Sequence, residues 1–255
     1  MHLGAQLGFN VLALDRPGYG LAADIDPARS GLQSQVEILF DAIDAWSEEN
    51  KFGGQWFVIG HSVGGILTLL MAAHERSKRL SGVDVLGVPV RYPASDAGEA
   101  INSLPTGATM VPPISGDARK WLLFGPADTY APQSFEYDAT LARPMPVLEY
   151  RESLAIPDAW PEVLQTIKLP VQFALAEFEQ MQATGWDVLN EVRVYLRNCK
   201  RARMELQYHT GHDASIHHIA RSYHLRAIAF FEECLAVGQG VDSRADFVRA
   251  ACGRS

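Results

Sequence analysis

A serine sits at the centre of Gly60-His61-Ser62-Val63-Gly64, a G-x-S-x-G setting between the apolar run Trp56–Ile59 and the helical pattern Leu67–Ala73. A chain that passes from strand to helix within one residue holds that residue in a sparsely populated backbone conformation and projects its side chain. The spacing therefore predicts Ser62 as an exposed nucleophile. Gly60 and Gly64 are expected to be glycine because side chains there would collide. The helix amides behind the serine, Val63 N–H first, would face developing negative charge. A serine hydroxyl attacks only when a base takes its proton, and the base needs a third group to fix its tautomer. His212, in Tyr208-His209-Thr210-Gly211-His212-Asp213, is the candidate base, in the loop after the alternating run Met204–Tyr208. His209, His217 and His218 are its neighbours and rivals, the last two expected to face solvent. His61 is expected to pack beside the turn and to orient nothing chemical. For the acid, Glu177 and Glu179 follow the run Val171–Ala176, and alternation would point both to one side. Glu179 lies further past the strand and is preferred; Glu177 and Asp96 are the second choices.

The elements that must position these residues alternate between strand-length apolar runs and helical patterns, which predicts an α/β fold with a mostly parallel sheet and helices on both faces. Val11-Leu12-Ala13-Leu14, stopped by Asp15-Arg16-Pro17-Gly18-Tyr19-Gly20, reads as a buried parallel strand ending at the sheet's carboxyl edge. Leu32, Val36, Leu39, Phe40, Ile43 and Trp46 recur at helical spacing. Trp56–Ile59, Val83–Val88, Val171–Ala176 and Met204–Tyr208 are the further strands. Trp186, Leu189, Val192 and Leu196 mark one later helix, and residues 216–237 the last. From about Arg91 to Pro170 the rhythm breaks. Most of the 14 prolines fall there, with Trp121, Phe124, Tyr130, Phe135, Tyr137, Tyr150 and Trp160 among them. A structureless insert of that length is improbable, so this stretch is expected to be a partly helical cap. The resulting division is a core of 1–90 and 166–240, a cap of 91–165 and a flexible tail of 241–255.

Composition narrows the partners. The chain has 255 residues with 47% hydrophobic and 20% charged, enough to bury a sizeable core. Its 22 Lys+Arg against 30 Asp+Glu give a net charge of −8, and no basic stripe interrupts that balance, which argues against nucleic acid. No apolar run approaches the ~20 residues needed to span a bilayer, and the first ten residues do not read as a signal peptide. Cys199, Cys234 and Cys252 are few, odd in number and not in CxxC spacing. They suggest reduced thiols in a cytoplasmic protein, with neither a disulfide frame nor a zinc site. No metal or organic cofactor is implied. A homo-oligomer remains compatible with the sequence.

From Asn10 to Val237 the chain resembles the α/β-hydrolases. The resemblance rests on Val11–Gly20, on Gly60-His61-Ser62-Val63-Gly64-Gly65, on Leu169-Pro170-Val171 leading into Ala176-Glu177-Phe178-Glu179, and on Gly211-His212. The order Ser62, Glu179, His212 is the family's order of nucleophile, acid and base. In such proteins the acid stands fourth in a Gly-Glu-x-Asp-like turn, which maps onto Glu179; here Ala176 replaces Gly, and Glu replaces the commoner Asp. The resemblance also implies two or three earlier strands and a His-Gly loop that gives half of an oxyanion hole, whereas only ten residues precede Val11. On that basis Val63 N–H is the expected oxyanion donor and activity is expected to be impaired, since one donor is worth ~2.7–4 kcal/mol. The function implied is a serine hydrolase acting on an ester, thioester or lactone, with an apolar or aromatic acyl group buried by the cap. A non-catalytic binding protein on the same scaffold, or a C–C hydrolase or acyltransferase with the same triad, are the alternatives.

Overall fold

In the computed structural model, which describes residues 2–26, 29–92 and 105–238, four parallel strands form the central sheet in the order β1-β2-β5-β6. They are β1 (Trp56–His61), β2 (Leu80–Leu86), β5 (Val171–Ala176) and β6 (Ala202–Gln207). A separate antiparallel pair joins β3 (Met110–Val111) to β4 (Met145–Pro146). The helices are α1 (His2–Gln6), α2 (Leu32–Glu49), α3 (Val63–Ala73), α4 (Gly116–Arg119), α5 (Pro132–Leu141), α6 (Val147–Leu164), α7 (Trp186–Tyr195) and α8 (Ala220–Gly238). A π-helical turn over Lys120–Phe124 continues α4. Among the described residues, no helix is long and apolar enough to cross a membrane.

The strands carry apolar residues on both faces because helices cover both. Val83, Val85, Val171, Phe173 and Leu175 point into the main core with Val36, Phe40 and Ile43 of α2, Leu67 and Leu69 of α3, and Val188, Leu189 and Val192 of α7. The alternate residues turn the other way. Leu86 and Ala174 pack with Tyr223 of α8, and Phe57 stacks on Phe231 at 4.6 Å. Each buried residue of this kind is worth roughly 1.5–3 kcal/mol, so the two faces together hold the sheet rigid at its carboxyl edge.

The stretch read as a cap is partly helical, and α6 joins the core: Trp160 and Leu164 belong to the main cluster, and the Trp160 indole donates to the Pro89 carbonyl at 2.6 Å. A second, smaller cluster of Leu123, Phe124 and Tyr130, with Phe135 and Ile216, lies over the carboxyl edge. Asp96, Cys252 and the tail 241–255 lie outside the described residues.

One expected strand is not formed. Among the described residues Val11–Leu14 pairs with no strand, and Val11, Leu12 and Leu14 are each about 40% exposed (44%, 37% and 38%). Apolar runs signal burial on two faces, but a strand also needs a neighbour to take its backbone hydrogen bonds. Here β1 is the sheet's edge among the described residues, and a cavity of about 1090 Å³ separates it from this segment. The loop beyond is well anchored. Arg16 and the Tyr19 hydroxyl both donate to the buried Glu149, at 2.6 and 2.7 Å, and Gln35 donates to it as well.

Candidate active site

Register places the chemistry. His61 pairs with Leu86, Leu86 with Ala174, and Ala176 with Gln207, so β1, β2, β5 and β6 all end at one rim. Ser62, Gly87, Glu179 and His212 follow those strand ends directly. Ser62 has φ 53° and ψ −122°, a left-handed conformation that costs a non-glycine residue on the order of 1–3 kcal/mol. Two hydrogen bonds hold it there: Ser62 N–H to Leu86 O at 2.9 Å and Ile66 N–H to Ser62 O at 3.0 Å. Val63 opens α3, where the first N–H groups have no intrahelical acceptor and face outward with the positive end of the helix dipole.

The glycine expectation needs correcting. A Cβ on Gly60 would meet the Gly64 carbonyl oxygen at 2.4 Å, and one on Gly65 would meet Val88 at 2.5 Å. A Cβ on Gly64 would meet nothing within 4 Å. Close approach thus demands glycine at 60 and 65. At Gly64 the side-chain direction opens instead on the cavity beside β1.

Glu179 and His212 are brought together. His212 Nδ1 donates to Glu179 Oε2 at 2.7 Å, and both residues are buried. Glu179 is further held by the Met181 N–H, at 2.9 Å to Oε1. Burial alone would raise the Glu179 pKa, but the His212 charge and its hydrogen bond outweigh it and hold the carboxyl below the usual range. Burial alone would lower that of His212, yet the Glu179 charge and hydrogen bond push it up. With Nδ1–H spent on Glu179, the lone pair of neutral His212 lies on Nε2, the arrangement of a general base. Glu177 goes elsewhere. The chain turns at 177–178 and does not stay extended, so the two carboxylates diverge, and Glu177 Oε2 accepts from His209 N–H at 2.7 Å.

Two histidines differ from expectation. His61 does hold part of the site: its Nε2–H donates to the His212 carbonyl at 2.9 Å, and its ring lies 4.6 Å from that of His212. His217 is buried and does not face solvent. Its ring nitrogens lie 2.9 Å from Asp213 O and 2.8 Å from Phe124 O, tying the His212 loop to the smaller apolar cluster. His218 and His209 are exposed.

Gly87 was missed by sequence reasoning. It adopts φ 67°, and a Cβ there would meet His212 Cε1 at 2.9 Å, so the glycine admits the imidazole to the rim. A lone glycine just past an apolar run was its signal. Among the described residues, no hydrogen bond joins the Ser62 hydroxyl to His212. The two are linked through His61 and Leu86–Gly87, and such contacts often tighten only with substrate bound. His61, His212 and Asp213 offer ligand atoms within 4.8 Å of one another. However, His61 Nε2 and His212 Nδ1 are already engaged in the bonds above.

The comparisons agree with this frame. Residues 1–229 match the model of the alpha/beta hydrolase family. Phospholipase YtpA of Bacillus subtilis is 25% identical over 149 residues, covering 58% of this chain and 56% of that protein, little more than half the relative's length. A solved structure described under the metagenome-derived lipolytic enzymes LipS and LipT superposes with a TM-score of 0.62 at 20% identity, over 90% of this chain and 84% of that one. A thermostable carboxyl esterase from Bacillus coagulans gives 0.59 at 15% identity, over 88% and 78%. With the parallel sheet, the serine turn and a family match over most of its length, the chain belongs to the α/β hydrolase family.

Proposed function

We propose that the protein is a serine hydrolase that cleaves a carboxylic ester, thioester or lactone through an acyl-enzyme on Ser62. The observation that carries the reading is the buried Glu179–His212 hydrogen bond at the rim where the strained Ser62 turn also ends. His212 Nε2 takes the Ser62 proton as Oγ attacks the carbonyl, and the charged imidazole is stabilised by Glu179. Val63 N–H donates to the oxyanion of the tetrahedral intermediate. The proton then passes from His212 to the leaving group, and the same imidazole activates water to release the acid. The cap residues Phe124, Tyr130 and Phe135 lie against the loop of the base, which favours an apolar or aromatic acyl group. The lipolytic enzymes and esterases among its structural neighbours are in keeping with that choice.

A fluorophosphonate probe tests the reading. The wild type is expected to be labelled and Ser62→Ala not, with turnover of nitrophenyl esters lost in parallel. An unlabelled wild type would make the protein a binding module on a hydrolase scaffold.

A further inference from the structure

His217 is 4% exposed, with Nδ1 at 2.9 Å from Asp213 O and Nε2 at 2.8 Å from Phe124 O. A carbonyl oxygen accepts and cannot donate, so both contacts are hydrogen bonds only when both ring nitrogens carry protons. A neutral ring turns one lone pair onto an oxygen at the same distance. For one of the two nitrogens the fold supplies an alternative. The Gly211 N–H lies 3.3 Å from Nε2 and can donate to it only when Nε2 has lost its proton. Nδ1 has no such second partner among the described residues.

The ring thereby joins two distant parts of the chain. Phe124, 93 residues before His217, closes the π-helical turn Lys120–Phe124, and Asp213 directly follows His212. These parts also meet through Asp213 N–H and Leu123 O at 3.1 Å, a backbone bond that does not titrate, and a Cβ on Gly211 would strike the Phe124 carbonyl. A buried charge needs hydrogen bonds to hold it, and the two carbonyls supply them. The ionisable groups nearby are otherwise committed. Tyr130, its ring 5.5 Å from that of His217, is kept neutral by burial, which raises its pKa. The Asp213 carboxylate turns to His61, 3.7 Å from its Nε2, and His212 is bonded to Glu179. Lys120 of the π-helical turn lies 5.1 Å over the Phe135 ring. Histidine is the side chain that ordinarily changes charge between pH 5 and 8.

We propose that His217 is a positioning residue that acts as a proton-operated clasp between the cap and the His212 loop. Charged, it donates from Nδ1 to Asp213 O and from Nε2 to Phe124 O, and holds the π-helical turn against the loop. When Nε2 gives its proton to water, the ring keeps the Asp213 bond, accepts from Gly211 N–H and leaves Phe124 O without a donor among the described residues. The turn that carries Leu123 and Phe124 is then free to lift from the loop. The clasp needs only this geometry; its effect on turnover rests on the ester hydrolysis proposed above.

The test uses the full chain. Nitrogen NMR of isotope-labelled histidines, with His217 assigned by its loss in His217→Gln, is expected to show both ring nitrogens protonated at pH 5 and Nε2 alone deprotonated at pH 8.5. Amide hydrogen exchange, corrected for the intrinsic effect of pH, should show Gly125 N–H and Asp213 N–H losing roughly tenfold to a hundredfold of their protection over that range, the worth of one hydrogen bond to a charged group. His217→Gln sets an amide N–H near the Nε2 position and should keep protection high and flat with pH. His217→Asn reaches only the Nδ1 position and should keep it low and flat. A merely structural histidine would not give this opposed pair. With nitrophenyl esters, KM should rise with pH in the wild type and not in His217→Gln, while the rise of kcat that His212 imposes remains in both. Three results would overturn the clasp: one protonation state of His217 throughout; protection of residues 120–125 that follows the intrinsic rate alone; or the same pH-dependent loss in His217→Gln. If His217→Asn does not fold, the wild-type titration and His217→Gln decide between them. A chain that passes the NMR and exchange measurements but hydrolyses no ester keeps the clasp and loses only the proposed reaction.

Discussion

Asp84 sits in the middle of β2, fully buried, and accepts hydrogen bonds from Gln172 Nε2 at 2.7 Å and the Tyr223 hydroxyl at 2.8 Å. Burial raises its pKa from 3.8 to about 6, with those two hydrogen bonds acting in the opposite direction. The folded state therefore binds the proton more tightly than the unfolded chain. Stability attributable to this residue is greatest below about pH 3.8 and is lost as pH rises towards 6, above which the charged carboxylate is carried at full cost. At about 1.36 kcal/mol per tenfold change in proton affinity, the cost is ~3 kcal/mol. For a domain of this size that is on the order of 6–12 °C in Tm. Asp84→Asn removes the titration and keeps the shape, and the Gln172 amide can reverse to meet the new amide. Thermal unfolding of both proteins between pH 4 and 7.5 is the assay. The wild type should lose about 3 kcal/mol relative to Asp84→Asn across that window, with no further divergence above pH 7. Parallel Tm curves would refute the reasoning, because they would mean that Asp84 reaches water or a cation in the folded protein. β2 also delivers Leu86, which anchors Ser62 N–H, so the same variant should leave kcat/KM within about threefold at pH 7.5.

The remaining expectations concern the rim. Glu179→Ala should lower kcat/KM on nitrophenyl esters by on the order of 10²–10⁴, whereas Glu177→Ala, which loses only a contact to His209 N–H, should change it a few-fold; the reverse ranking would assign the acid wrongly. Because Glu179 raises the His212 pKa, and the base must be neutral, kcat/KM should climb with pH through a midpoint above 6.5. Glu179→Gln should move that midpoint down in the residual activity, and a flat profile from pH 5 to 8 would remove His212 as the base. Gly60→Ala, whose methyl would strike the Gly64 carbonyl, should cost about 1–3 kcal/mol in chemical unfolding, while Gly64→Ala should be neutral or mildly stabilising in the helix.

What could be read in advance divides along a physical line. The parallel sheet, the serine turn and the placing of Glu179, not Glu177, beside His212 were legible because each depends on residues close in sequence: an apolar run, an abrupt stop, an offset from a strand end. Even there the local rule carried only part of the truth. The expectation that alternation points Glu177 and Glu179 to one side fails at the turn of 177–178, whereas the offset past the strand, the reason for preferring Glu179, does bring it to His212. What escaped depends on partners far along the chain. His217 is buried because Phe124, 93 residues away, offers its carbonyl, and His61 is engaged because the His212 carbonyl, 151 residues away, lies within its reach. Val11–Leu14 shows the limit most plainly. Its composition asks for burial on two faces, and helices do stand on both sides. A strand, however, is defined by its neighbours' hydrogen bonds, and no property of these four residues reports whether a neighbour exists. The same gap leaves β1 as the edge among the described residues and Gly64 facing open space, so the feature that local patterning could not detect sits one turn of backbone from Ser62.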